Sequence, residues 1–161
     1  MDRDDAAVGR LRELLERGGA AFAIHVHPAA RTMEDARVGL AFDLERIVKT
    51  VAFGLRAGGL VLAALRGLRR VDYPRLAALV GVNRRELRPL SPEEVYVRLG
   101  VEPGGVSLLP PHPGAAAFLD QDALTIRPTL YCGAGRPDRT LELSPNDLLR
   151  LGAARVGAFS R

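Results

Sequence analysis

The chain has 161 residues, 47% apolar and 26% charged, with 23 basic against 19 acidic side chains, a net charge of +4 and a pI near 10.0. That balance excludes a disordered polymer and supports a hydrophobic core, and no apolar run approaches the roughly 18 residues of a membrane span. The acidic start, Met1-Asp2-Arg3-Asp4-Asp5, is not a secretory n-region, and the single cysteine, Cys132, excludes an internal disulfide framework and a cysteine-based zinc site.

Ala7, Val8, Leu11, Leu14 and Leu15 recur at helical spacing and stop at Gly18-Gly19. Phe22, Ile24 and Val26 alternate with smaller or polar residues and predict a strand. Thr32 and Asp35 resemble a capping box opening a short helix to about Leu40. The apolar runs Ile47 to Phe53 and Leu60 to Leu65 flank Gly58-Gly59 and predict a hairpin. Asp72 caps a helix with Pro74 in its first turn and Gly81 as its stop.

Ser91-Pro92-Glu93-Glu94 and Ser144-Pro145-Asn146-Asp147 repeat one recipe: serine cap, proline first in the helix, an acid at the third position. These helices end near Gly100 and Gly152. Between them lie a Gly/Pro-rich loop, Glu102 to Gly114, and short strands at Ala117–Leu119, Thr129–Cys132 and Thr140–Leu143. Arg155 to Phe159 predicts a closing strand. Residues 1–161 therefore read as one cytoplasmic domain of mixed α/β (α+β) class.

Of the 23 basic residues 22 are arginine, and Lys49 is the only lysine. A composition that writes arginine wherever a cation serves makes this lysine a candidate functional group, since the two side chains are not interchangeable. In its strand Lys49 shares a face with Ile47, Val51 and Phe53. An ammonium in so apolar a setting needs water, a partner or a ligand.

Gly104-Gly105-Val106-Ser107 is a second candidate, because adjacent glycines let backbone N–H groups approach a ligand. Gly133-Ala134-Gly135 is a third. Lys49 is expected to face one concave pocket shared with both turns. His25 and His27 share a strand face but have no evident third ligand, so they read as surface or satisfied histidines rather than a metal site. Cys132 reads as a buried structural thiol. The clusters Arg66, Arg69, Arg70 and Arg75, and Arg84, Arg85 and Arg88, read as solvated faces that could also contact phosphates.

Three stretches in order resemble the YbaK/ProX family of aminoacyl-tRNA deacylases, free-standing relatives of the editing domain of prolyl-tRNA synthetases. They are Arg46-Ile47-Val48-Lys49-Thr50-Val51, Leu99 to Ser107, and Tyr131 to Arg136 followed by Leu141-Glu142-Leu143-Ser144-Pro145. The similarity runs from about Val8 to Phe159. It implies a mixed, partly closed, barrel-like sheet flanked by short helices, and hydrolysis of the ester joining a wrong amino acid to the 3′ end of a tRNA. The family's lysine matches Lys49, its substrate loop matches Gly104-Gly105-Val106-Ser107, and its later turn matches Gly133-Ala134-Gly135. Two departures bear on the substrate: Leu108 stands where the family's loop usually has proline, and the later turn begins with Gly133 where the cysteinyl-tRNA branch usually has serine, with Pro137-Asp138 replacing the usual Arg-Gly.

An aminoacyl ester is already activated, so the protein must hold it, stabilise the oxyanion and control water. The loop's N–H groups suit the oxyanion. Lys49 suits the terminal phosphate or ribose, the carbonyl charge, or, if neutral, a base. No metal or cofactor is called for. The expected partner is a mischarged tRNA, with an aminoacyl-tRNA synthetase as a further one, and neither DNA nor membrane. The alternative is a catalytically silent tRNA- or nucleotide-binding module, or a synthetase-associated partner.

Overall fold

The computed structural model describes residues 3–30 and 42–161; the helix expected from Thr32 lies outside them. The first helix, α1 (Arg3–Arg17), buries Leu11 and Leu15 and ends where the Gly18 and Gly19 amides bond back to Leu14 and Glu16. Eight strands follow: β1 (Phe22–Val26), β2 (Val48–Leu55), β3 (Leu60–Arg66), β4 (Leu87–Pro89), β5 (Ala115–Asp120), β6 (Leu130–Gly133), β7 (Arg139–Leu143) and β8 (Arg155–Gly157). The later helices are α2 (Tyr73–Val80), α3 (Pro92–Leu99) and α4 (Pro145–Leu151).

Their caps follow the sequence recipe. The Asp72 carboxylate accepts the Arg75 amide at 3.1 Å and Ser144 Oγ accepts that of Asp147 at 3.2 Å. Ser91 and Glu94 exchange two bonds of 3.2 Å in a full capping box. Such caps contribute about 0.5–2 kcal/mol each.

The strands form two sheets. One has five strands in the order β4-β2-β3-β5-β8, antiparallel at β4-β2-β3 and parallel at β3-β5-β8. The other is antiparallel, in the order β1-β7-β6. Among the described residues they join at one parallel bridge, Ile47 to Tyr131, and no strand closes the whole. The class is the mixed α/β one expected.

Alternation assigns the two faces of β2. Val48 and Ala52 enter the core between the sheets, with Leu62, Leu119, Leu130, Cys132 and Leu141. Phe53 enters a second core on the opposite face, with Leu65, Leu76, Phe118 and Phe159, and Val51 packs against it. Six of the seven residues of β3 are buried, because both its faces are covered.

Three short 3-10 turns (Leu44–Arg46, Arg84–Glu86, Gln121–Thr125) and strand β4 were not foreseen. The closing strand is shorter than expected. After Gly157 the buried Asp120 carboxylate takes over, accepting the Phe159 amide at 2.8 Å, the Ser160 amide at 3.1 Å and the Ser160 hydroxyl at 2.6 Å. No helix among the described residues is long and apolar enough to cross a membrane.

Candidate functional site

Strand β4 pairs with β2 only at Phe53–Leu55, and the bridge to β6 falls at Ile47, just before β2 begins. Among the described residues, no strand pairs with Lys49–Val51 on that edge. A cavity of about 400 Å³ opens there. Its walls come from the β2 edge, from Leu90 and Val95, from the Gly104 loop, and from His27, Phe42, Tyr131 and Thr140 on the side of the small sheet.

The two glycine segments meet. The Gly135 amide donates to the Gly105 carbonyl at 3.0 Å. A Cβ on Gly105 would lie 2.6 Å from the Arg136 nitrogen, and one on Gly133 would overlap the Val106 carbonyl oxygen. Glycine here permits backbone to pack on backbone. Gly104, Val106 and Gly133 line the cavity, while Gly105, Ser107, Ala134 and Gly135 are not part of its lining. Among the described residues, no backbone carbonyl accepts from the Gly104 or Val106 amide. Ser107 Oγ accepts the Leu109 amide at 3.1 Å and bonds to Cys132. Burial pushes the Cys132 thiol up to about 12, only partly opposed by that bond, so it is an inert structural thiol.

Lys49 borders the cavity, but its ammonium donates to the Arg69 carbonyl at 2.6 Å. Its side chain leaves β2 on the face of Val51 and Phe53, opposite Val48 and Ala52. Partial burial, and then the neighbouring Arg70 charge, hold its pKa below the usual lysine value. Sequence placed this lysine on the right strand, but not its partner.

The small sheet turns a polar face outward, and sequence reasoning passed over most of it. His25 Nε2 lies 2.8 Å from Glu142 Oε1, and Thr129 Oγ1 donates to Glu142 Oε2 at 2.5 Å. Arg46 Nε donates to the Thr129 carbonyl at 2.7 Å, and its guanidinium lies over the Tyr131 ring at 4.6 Å. Phe42 stacks on Tyr131 at 4.4 Å. His27 sits between Thr140 Oγ1 and the Pro28 carbonyl, 2.7 Å from each. The only sequence signal was the alternation of His25 and His27 with apolar residues. Both histidines are satisfied, as read. Among the described residues, no group of three His, Cys, Asp or Glu side chains could hold a metal ion.

Several arginines offered for phosphates are engaged within the chain. Arg66 and Arg69 pair with Asp122 at 2.7 and 3.1 Å, and Arg88 grips Glu94 through two bonds of 2.7 and 2.8 Å.

Residues 27–151 match the model of the aminoacyl-tRNA editing domain. The chain is 28% identical to a solved candidate trans-editing enzyme for prolyl-tRNA synthetase, with a TM-score of 0.80 over 96% of this chain and 97% of that one. It is 26% identical to a solved hypothetical protein, with a TM-score of 0.82 over 94% and 99% of the two chains. A candidate signal-transduction protein from Marinobacter aquaeolei VT8 shares the fold alone, at 18% identity and a TM-score of 0.67; 94% of this chain overlays 30% of that longer one. No curated protein matches the chain.

Proposed function

The chain belongs to the aminoacyl-tRNA editing domain family, and from that premise we propose that it is a trans-editing hydrolase. It cleaves the ester of a mischarged aminoacyl-tRNA, such as a tRNA-Pro carrying Cys, Ala or another small amino acid. The cavity at the β2 edge carries this reading. About 400 Å³ holds a small aminoacyl group with part of its ribose. Ala52, Leu90, Val95 and Val106 give it an apolar wall.

The residues take these roles. The Gly104 and Val106 amides receive the oxyanion as the carbonyl becomes tetrahedral. Gly105, Ser107, Ala134 and Gly135 hold those amides against the Gly133 turn. Lys49 supplies a compact cation, exchanging the Arg69 carbonyl for the ribose–phosphate end of the tRNA. Arg serves poorly there, because its planar fork needs more room.

A panel of tRNAs charged with matched and mismatched amino acids tests the reading. Release of one small mismatched amino acid well above the spontaneous rate supports it. Tight tRNA binding with no release from any member of the panel sinks the hydrolase and leaves a binding module.

A further inference from the structure

His27 occupies the cavity wall in a constrained state. Its Nδ1 lies 2.7 Å from the Pro28 carbonyl oxygen, which can only accept, so Nδ1 carries a proton. In the neutral ring Nε2 is then the bare acceptor, and Thr140 Oγ1, 2.7 Å away, donates to it. The result is a hydroxyl bonded to an imidazole, with the imidazole oriented by a third group. That is the arrangement of an activated nucleophile.

The setting places this pair beside the groups that would receive an oxyanion. Thr140 lies directly across β7–β6 from Gly133 and directly across β1–β7 from His25. Cross-strand partners point to the same side of a sheet. The Thr140 side chain therefore shares a face with the missing Cβ of Gly133, which is the side of the Val106 carbonyl. Both Thr140 and His27 line the cavity with Gly104 and Val106.

We propose that Thr140 and His27 form a nucleophile–base pair, so that the aminoacyl group passes onto Thr140 before water releases it. This rests on the reading of the chain as an aminoacyl-ester hydrolase. In the first step Thr140 Oγ1 bonds to the ester carbon as His27 Nε2 takes its proton. The bond to the ribose oxygen breaks, and that oxygen leaves with the proton from His27. In the second step water attacks the threonyl ester, gives a proton to His27, and the free amino acid departs as Thr140 Oγ1 recovers that proton.

A diagonal Thr–His contact also serves simply to hold two strands together, so the test must read chemistry. The full chain is mixed rapidly with alanine p-nitrophenyl ester and, separately, with a tRNA-Pro charged with alanine, and the products are followed with the intact protein mass. Wild type is expected to give about one equivalent of p-nitrophenol in a burst, with one alanyl group on a peptide containing Thr140. Thr140→Val and His27→Gln, at unchanged melting temperature, lose the burst and slow both reactions about 100-fold or more. Thr140→Ser keeps both.

Full rates and a full burst in Thr140→Val overturn the pair, as does an adduct on another residue. Should Thr140→Val fail to fold, tRNA cleavage by wild type with no burst and no adduct overturns the pair and leaves the hydrolase standing. A burst with the simple ester but no tRNA cleavage by wild type supports the pair and removes the tRNA. Inertness toward both substrates removes both.

Discussion

Gly133 and Val106 meet backbone to backbone, so closely that a side chain on the glycine would overlap the Val106 carbonyl oxygen. The Gly105–Gly135 hydrogen bond lies beside this contact. The width of the cavity is therefore fixed where two turns touch. Gly133→Ala is expected to lower the unfolding free energy by about 1–3 kcal/mol, the usual cost of overpacking. Denaturant titration measures it, and an unchanged midpoint would show that the turns separate freely.

Lys49→Arg keeps the charge but is expected to lose most deacylation, and Lys49→Ala at least as much. Both should fold, because a lysine whose burial disfavours its charged form gives up little when replaced. Single-turnover rates and melting curves check this. Near wild-type hydrolysis by Lys49→Arg would reduce the residue to a generic cation.

Binding of tRNA is expected to weaken steeply with salt as arginines displace counterions. Arg66, Arg69 and Arg88 are held by carboxylates. Arg70 has no carboxylate partner among the described residues, and its charge is felt by Lys49. Arg70→Ala should reduce the slope of log K against log salt by about one, while Arg88→Ala leaves it nearly unchanged. Filter binding across a salt series gives both slopes.

The Glu142 carboxylate is held below its usual pKa of 4.5, first by the Thr129 hydroxyl and then by His25, with the Arg46 charge adding to them. The unfolded chain takes up this proton first as pH falls. The stabilisation is therefore complete above about 4.5 and is lost as pH drops through the lower folded value. Urea unfolding down to about pH 3 should show a shallower acid loss in Glu142→Gln than in wild type. Parallel curves would mean that the network contributes nothing.

The parts legible in the sequence were those set by neighbours along the chain. Asp72, Ser91 and Ser144 cap their helices through residues three positions on, so the caps could be read directly. The alternation in β1 and the apolar run of β3 were visible for the same reason. Strand β4 was not, because Leu87–Pro89 is extended only through its pairing with Phe53–Leu55. The site divides likewise. Lys49 stood out by composition, but its hydrogen bond crosses 20 residues to Arg69. Thr140 carries no local signal at all, since His27 lies 113 residues away.

The three residues of β2 that no strand among the described residues pairs with on that edge, Lys49 to Val51, also act as a ruler. Three residues of strand span about 10 Å, roughly one aminoacyl unit with the start of its sugar. The gap is closed at one end by the Ile47–Tyr131 bridge and at the other by β4. A peptide bearing several residues would have to pass one of those stops. Peptidyl-tRNA should accordingly resist cleavage under conditions where the same tRNA carrying a single small amino acid is hydrolysed, with gatekeeping set by strand length rather than by any one side chain.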